Sequence, residues 1–170
     1  MDYRDFDKQI TYYGEKPKAE DVLVYGEFGG DKNNQDSVSV VFVSETNIEP
    51  VRCFCSEETT QFFNESVQES GISSWYTTPA IKKNVCTEDE MHMILRLEIE
   101  ILNPKLVVAL GRRSEKMLLK VKDIYHHLRW FDVLPHPDFW LRFYSHAKNE
   151  YKHLLCGIQQ KVDHKTNSKS

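Results

Sequence analysis

The residue best suited to chemistry in this chain is His136, which stands between two prolines in Leu134-Pro135-His136-Pro137-Asp138-Phe139. The residues before it predict the end of a strand, and those after it predict a helix. In open α/β sheets, ligands bind outside the carboxyl ends of the strands. Because the two prolines restrict the loop, they would hold the imidazole in place as a hydrogen-bonding group. The alternative is a structural role, in which His136 caps the helix that follows.

A second candidate is the turn Gly111-Arg112-Arg113-Ser114, which follows the apolar run Leu106-Val107-Val108-Ala109-Leu110. Such a run is typical of a strand buried on both faces. Two cations and free backbone amides at a helix start can hold a phosphate. They can equally be an ordinary solvated helix start. Gly111, Arg112 and Ser114 are therefore candidates for binding a nucleotide.

Helices and strands alternate around these two loops. β-Rich runs at 22–25 and 38–43 flank a turn cluster at 29–36 and predict a hairpin. The later elements are predicted as helix 57–70, strand 75–78, helix 88–102, strand 105–110, helix 114–120, strand 130–134 and helix 138–161. The last helix is expected to turn Phe139, Phe143, Ala147, Leu154 and Ile158 towards the core. This order predicts a three-layer α/β/α sandwich with a mainly parallel central sheet.

Length and composition favour a soluble globular protein with one domain. The chain has 170 residues, 40% of them apolar and 28% charged. We expect a domain over 1–162 and a solvated tail over 163–170. No apolar run approaches the ~20 residues of a membrane span, so we expect no membrane partner. The N-terminus is polar and acidic, unlike a secretory signal, which favours a cytoplasmic protein.

The formal net charge of −4 argues against simple nucleic-acid binding, since such domains are usually basic. A local basic strip can still exist on an acidic protein. Lys82-Lys83, together with Lys120, Lys122 and Arg129, could form one, although scattered surface lysines are the commoner arrangement.

Together these segments resemble the closing half of the uracil-DNA glycosylase superfamily. The matching region runs from about Val40 to about Phe143. Its most specific parts are the P-K-L-V-V-A-L-G strand and glycine turn at 104–111 and the H-P-x-x-x-x-R-F loop at 136–143. The stretch G-I-S-S-W-Y-T-T-P-A-I-K at 71–82 is similar to the middle of the family. The resemblance implies a glycosylase-like α/β/α fold with DNA or a nucleotide as ligand and without a metal or other cofactor.

The resemblance also implies roles for individual residues. His136 would donate a hydrogen bond to the base oxygen that gains charge as the glycosidic bond breaks. Glu45 or Asn47, in the loop after the first core strand, would position or activate water. Thr46 in the same loop is counted with the binding residues. The family's loop is rich in glycine, whereas Ser44-Glu45-Thr46-Asn47-Ile48-Glu49-Pro50 has none, so these side chains can equally be ordinary loop residues.

Base recognition departs further from the family pattern. In Thr77-Thr78-Pro79 the proline stands where the family has an Asn that reads the base edge. Proline offers neither a side-chain amide nor a backbone N–H, so plain uracil could not be read in that way. Thr78 could still give one hydrogen bond. Phe54 is the candidate for stacking on an extruded base, with a core position as the alternative.

The chain has four cysteines, Cys53, Cys55, Cys86 and Cys156. Some glycosylases of the superfamily carry an iron–sulfur cluster whose first cysteine pair is spaced C-x-x-C, whereas Cys53-Phe54-Cys55 is C-x-C. Reduced thiols are therefore expected rather than a cluster or disulfides.

Three functional hypotheses remain open on the sequence. The first is a diverged glycosylase-like protein that binds, and can excise, a modified base in DNA. The second is a nucleotide or nucleic-acid binder that has lost turnover. The third is a protein-interaction or inhibitor module that reuses the same fold.

Overall fold

The computed structural model describes residues 19–30, 38–45, 53–54, 56–82, 87–125 and 131–168. The elements, in chain order, are α1 (Ala19–Val22), a 3-10 turn (Leu23–Tyr25), β1 (Glu27–Gly30), β2 (Val40–Ser44), α2 (Glu57–Glu69), β3 (Ser74–Pro79), α3 (Glu88–Leu102), β4 (Leu106–Leu110), α4 (Arg112–Tyr125), β5 (Asp132–Leu134), α5 (Pro137–Phe143), a 3-10 turn (Ser145–Ala147) and α6 (Lys148–Ser168).

The five strands form one sheet in the order β1-β3-β2-β4-β5. Strands β2 to β5 are parallel to their neighbours, and only the edge strand β1 is antiparallel, to β3. The predicted mainly parallel sheet is confirmed. The predicted hairpin is wrong, because β1 pairs with β3 rather than with β2.

Helices cover both faces of the sheet. The alternate residues Val40 and Phe42 of β2 pack in one core cluster with side chains of α2 and α6. Val41 and Val43 pack in a second cluster with side chains of α3 and α4. Successive side chains of a strand point to opposite faces, so this partition confirms the three-layer sandwich.

Local sequence signals set the ends of the helices. The hydroxyl of Ser56 accepts the N–H of Thr59 at the start of α2, and that of Thr87 accepts the N–H of Glu90 at the start of α3. Helix α3 ends at Asn103, which adopts a left-handed conformation with φ of 43°.

The topology creates a crevice at the carboxyl ends of β2 and β4. The chain leaves β2 towards α2 on one face and leaves β4 towards α4 on the other. Such a switch point in an α/β sheet opens a gap between the two departing segments. Residues that directly follow β2, β4 and β5 therefore meet at one edge of the sheet.

The C-terminal part differs from the single helix predicted over 138–161. The helix is interrupted at Tyr144, which has a φ of −132° and a ψ of 34°. The chain then forms a 3-10 turn and α6. The side chain of Trp140 stabilises this break by donating its indole N–H to the carbonyl of Ala147 at 3.1 Å. Because of the break, Phe139 and Phe143 are exposed rather than buried. Leu154 of α6, also predicted to face the core, is exposed too.

Two further boundaries differ from the prediction. The run 22–25 ends a short helix and forms a 3-10 turn instead of a strand. Helix α6 continues to Ser168, through most of the segment expected to be a solvated tail. Among the helices of the described ranges, none combines the length and apolar character needed to cross a membrane.

Candidate functional site

Glu45 is the first residue after β2, and its carboxylate lies against the start of α4. Its Oε1 atom accepts the backbone N–H of Arg113 at 2.8 Å. Gly111, between β4 and α4, has a φ of 100°, and a Cβ at this position would lie 2.3 Å from Glu45 Oε1. Both the backbone conformation and the close carboxylate therefore require glycine.

This contact places a carboxylate at the helix start where the sequence suggested a bound phosphate. A helix N-terminus stabilises one nearby negative charge through its free N–H groups and dipole. In this protein that charge is the protein's own Glu45 carboxylate. Ser114 is fully buried and donates its hydroxyl to the carbonyl of Leu110 at 3.3 Å. Of the three candidates in this turn, Gly111 and the exposed Arg112 line the adjoining cavity, and Ser114 does not.

His136 is the second residue after β5 and caps α5. Its Nδ1 atom accepts the backbone N–H of Asp138 at 3.2 Å, so the structural role considered for His136 is present. The cap also fixes the chemistry of the ring. Because Nδ1 uses its lone pair as an acceptor, the neutral imidazole carries its proton on Nε2.

The Nε2 atom of His136 is buried and has no hydrogen-bond partner. The whole residue is 8% exposed. Burial lowers the pKa of His136, while Asp138 and Glu45 act in the opposite direction. The ring is therefore neutral near pH 7 and holds an unused N–H donor. A buried donor without a partner is energetically costly.

The loop that carries His136 is held by contacts from α6 and from Phe54. The hydroxyl of Tyr151, on α6, donates to the carbonyl of Pro135 at 2.9 Å. The ring of Phe54 meets the imidazole edge-on, with 5.6 Å between the ring centroids. Phe54 is only 2% exposed and also packs on Phe63. It thus supports His136 from the core, and the structure does not bring its face to the cavity.

Two adjoining cavities of about 500 and 520 Å³ open at this edge of the sheet, and both are lined by Glu45, His136 and Phe139. The first also contains Asp138, Arg142, Phe143 and Thr59, and the second Gly111, Arg112, Arg113 and Pro135. A carboxylate acceptor, a neutral N–H donor, aromatic surface and three guanidinium groups thus surround one opening.

Thr78 lies elsewhere, in a buried polar network between β3 and α3. Its hydroxyl donates to Glu98 Oε2 at 2.5 Å and accepts from Lys82 Nζ at 2.5 Å. Lys82 and Glu98 form an ion pair of 2.7 Å with both side chains fully buried. Tyr76 also donates to Glu98 Oε2, at 2.6 Å. Thr78 is thus engaged within the protein and is not brought to Glu45 and His136.

The network also removes Lys82 from any basic surface strip. It pairs with Glu98 in the core, and its Nζ also donates to the carbonyl of Pro79. Lys120 pairs with Glu88 at 2.5 Å. Lys83 and Arg129 lie outside the described residues, as do the predicted site residues Thr46 and Asn47.

The two cysteines with described side chains are free thiols. Burial, together with nearby Glu27, raises the pKa of Cys53 to about 12, so this thiol is unreactive at neutral pH. Cys55 and Cys86 lie outside the described residues.

The sequence did not single out several lining residues. Arg113 was visible only as part of a basic pair, yet its backbone N–H holds Glu45. Phe139 and Phe143 were predicted to face the core because their spacing fits the apolar side of a long helix. Arg142 lies between them in the chain; it is the arginine of the H-P-x-x-x-x-R-F motif, but no role was predicted for it.

Among the comparisons with known proteins, the one with solved structures supports the fold. No family model and no curated protein matches the sequence. Among solved structures, the chain is similar to wild-type SMUG2 from Pedobacter heparinus, with a TM-score of 0.54 and 12% sequence identity over 95% of this chain and 98% of that one. At this identity the likeness concerns the fold alone. The protein therefore has a mixed α/β fold of the uracil-DNA glycosylase type, with a mostly parallel five-stranded sheet.

Proposed function

We propose that this protein binds a modified base of DNA in the opening between Glu45 and His136 and excises it by hydrolysis of the N-glycosidic bond. The observation that carries the proposal is the buried, unpartnered Nε2–H of His136 beside a carboxylate in the same opening. This pairing is unusual for a purely structural loop, since the cap on α5 uses only Nδ1.

In this mechanism His136 acts as a neutral hydrogen-bond donor. As the glycosidic bond breaks, electrons move onto the departing base, and an oxygen of that base gains negative charge. A preorganised N–H donor stabilises that charge, and one such donor contributes about 10²- to 10³-fold in rate. Burial keeps the ring neutral, so it donates without delivering a full positive charge.

Glu45 would act on water. Its Oε1 is held by the N–H of Arg113, which fixes the carboxylate and leaves Oε2 to accept a proton from water attacking the sugar carbon. A positioned general base contributes about 10²- to 10⁴-fold. Because Pro79 cannot read the base edge through an amide, we expect the substrate to be a base other than plain uracil.

A second candidate is a binder without turnover. It is favoured by two placements: Phe54 is packed in the core, and Thr78 is held in the Glu98 network. Neither is then available to stack on or read a flipped base. The protein would keep the opening for a nucleotide but lack part of the recognition that excision requires.

The test is an excision assay on oligonucleotides carrying hydroxymethyluracil, hypoxanthine, xanthine, modified cytosines or uracil, with alkali cleavage of abasic products. The matched variants are His136→Asn and His136→Ala. Asparagine is a good helix N-cap but too short to place a donor where Nε2 lies. We expect His136→Asn to keep the stability of the protein and lose excision. His153→Ala, on the exposed side of α6, is the control.

The outcomes separate the two candidates. Excision that His136→Asn and Glu45→Gln abolish supports the enzyme. Excision that survives in both variants refutes these roles. No excision, combined with binding of a base or nucleotide that His136→Asn weakens, supports the binder instead.

A further inference from the structure

A further feature, at the edge of the Glu45–His136 opening, is an aromatic surface formed by α5 and the residue that follows it. Phe139 is 48% exposed, Phe143 58% and Tyr144 41%. The ring centroids of Phe139 and Phe143 lie 4.9 Å apart, and those of Phe139 and Tyr144 lie 5.9 Å apart. We call these three residues the aromatic rim. Contiguous exposed rings at the edge of a cavity mark an interaction surface rather than isolated surface residues.

The orientation of the rim follows from the other side of α5. Trp140 packs against the core and stacks on Tyr144, with 4.8 Å between ring centroids, and it contacts Tyr151 at 5.5 Å. This anchor fixes the rotation of the helix. Phe139 and Phe143, four residues apart, therefore share a neighbouring face that is exposed to solvent. They cannot both turn inward without removing Trp140 from the core.

Cations border the same surface. The guanidinium of Arg142 lies 5.8 Å from the centroid of the Phe143 ring, and Arg112 and Arg113 line the adjoining cavity. Within the described part of the chain, none of these three arginines forms an ion pair. The protein as a whole is acidic, with a net charge of −4. The lining of the opening, by contrast, contains three arginines and the carboxylates of Glu45 and Asp138.

We propose that the aromatic rim is a stacking surface for unpaired bases of single-stranded DNA, whose phosphates are bound by Arg142, Arg112 and Arg113. Single-stranded nucleic acids bind proteins by this combination of ring faces and cations. In a duplex the base faces are already stacked on one another and cannot reach exposed rings. An apolar peptide would use the rings but would leave the three guanidinium groups without partners. The choice of DNA as the partner rests on the proposed function.

The test measures binding by fluorescence anisotropy with labelled oligonucleotides of about 12 ordinary nucleotides, within the site size of about 4–16 nucleotides known for one single-strand-binding OB fold. Single-stranded and duplex forms of the same sequence are compared at fixed salt. The variants are Phe139→Ala/Phe143→Ala, which removes both rings, Phe139→Tyr/Phe143→Tyr, which keeps them, and Phe139→Leu/Phe143→Leu, which keeps apolar volume without ring faces. Leu154→Ala on α6, also exposed, is the control.

We expect the wild type to prefer the single strand and the alanine pair to lose affinity about tenfold or more. The leucine pair should lose nearly as much, whereas the tyrosine pair and the control should stay within about twofold. Arg142→Gln should weaken binding and reduce its salt dependence. Equal or tighter duplex binding, full affinity in the leucine pair, or no binding at protein concentrations of about 100 µM overturns the proposal.

The result is independent of excision. Undamaged oligonucleotides carry no base to be excised, so single-strand binding is measured separately from excision. If excision is absent but the rim variants lose single-strand binding, the inference stands and the catalytic proposal fails. If excision occurs and the rim variants bind normally, the proposed function stands and the inference fails.

Discussion

Substitution of Gly111 by alanine tests the contact on which the candidate site is built. Alanine at a φ of 100° is strained, at a cost of about 1–2 kcal/mol. The new Cβ would also stand 2.3 Å from Glu45 Oε1. Because Oε1 is the end of a flexible side chain, we expect the carboxylate to move away and to lose the N–H of Arg113. A carboxylate at a helix N-terminus contributes about 0.5–1 kcal/mol.

Gly111→Ala should therefore lower the free energy of unfolding by about 1.5–3 kcal/mol. In a Glu45→Ala background only the backbone part should remain. The double-mutant cycle should then show a coupling of about 0.5–1 kcal/mol between the two positions. Urea unfolding followed by tryptophan fluorescence measures all four proteins.

Gly157 on α6 provides the matched control. A Cβ there would meet nothing within 4 Å, so Gly157→Ala should stabilise the protein by about 0.5–1 kcal/mol through helix propensity. The two substitutions are identical in chemistry and opposite in expected sign. If Gly111→Ala is neutral, the strained turn does not exist, and strict additivity with Glu45→Ala would show that the carboxylate does not lie against Gly111.

Two further predictions concern buried charge. Lys82→Met leaves Glu98 buried without its cation and should cost about 3–5 kcal/mol, whereas Lys82→Met/Glu98→Met should recover most of that loss in the same urea unfolding. Equal stability of the single and double variants would contradict the ion pair. Burial holds the pKa of His136 below its ordinary value of 6.5, so the folded protein binds fewer protons at this site than the unfolded chain. The resulting stabilisation is present above about pH 6.5 and is lost as the pH falls, so wild type should weaken below this pH more steeply than His136→Asn. Parallel curves for the two proteins would exclude the shift.

The sequence predicted the layers and most strands because their signals are strong and local. The apolar run at 106–110 is fully buried as predicted, and the hydroxyl of Thr87 caps the start of α3. The first strand could not be placed in this way. The run at 22–25 has β-rich composition but forms helical turns, and the strand instead lies at Glu27–Gly30. The ring of Trp75 covers Gly29 of this strand, and a Cβ at that position would lie 2.2 Å from the ring. This is a tertiary contact, which local propensity cannot predict.

The candidate site was predictable where it depends on topology. Glu45, Gly111 and His136 all follow parallel strands, and the sheet brings them to one edge. Thr78 lies near the carboxyl end of the parallel strand β3, but its hydroxyl donates to Glu98 of α3 inside the protein. The signal for this was the interruption of the apolar stripe of α3 at Glu98, whose partner Lys82 could not be identified from one sequence. The exposure of Phe139 depends on the break at Tyr144, which no proline or glycine marks.

The buried pair of Lys82 and Glu98 also has a consequence for how related sequences can diverge. A change of either residue alone would leave the other charge buried without a partner. The pair could therefore be lost in evolution only through a poorly folded intermediate or by changing both positions nearly together. The two positions lie on different elements, one after β3 and the other within α3. Among homologues we expect them to vary as a unit, each sequence keeping both charges or replacing both, and this covariation would mark the β3–α3 packing even where overall sequence similarity has disappeared.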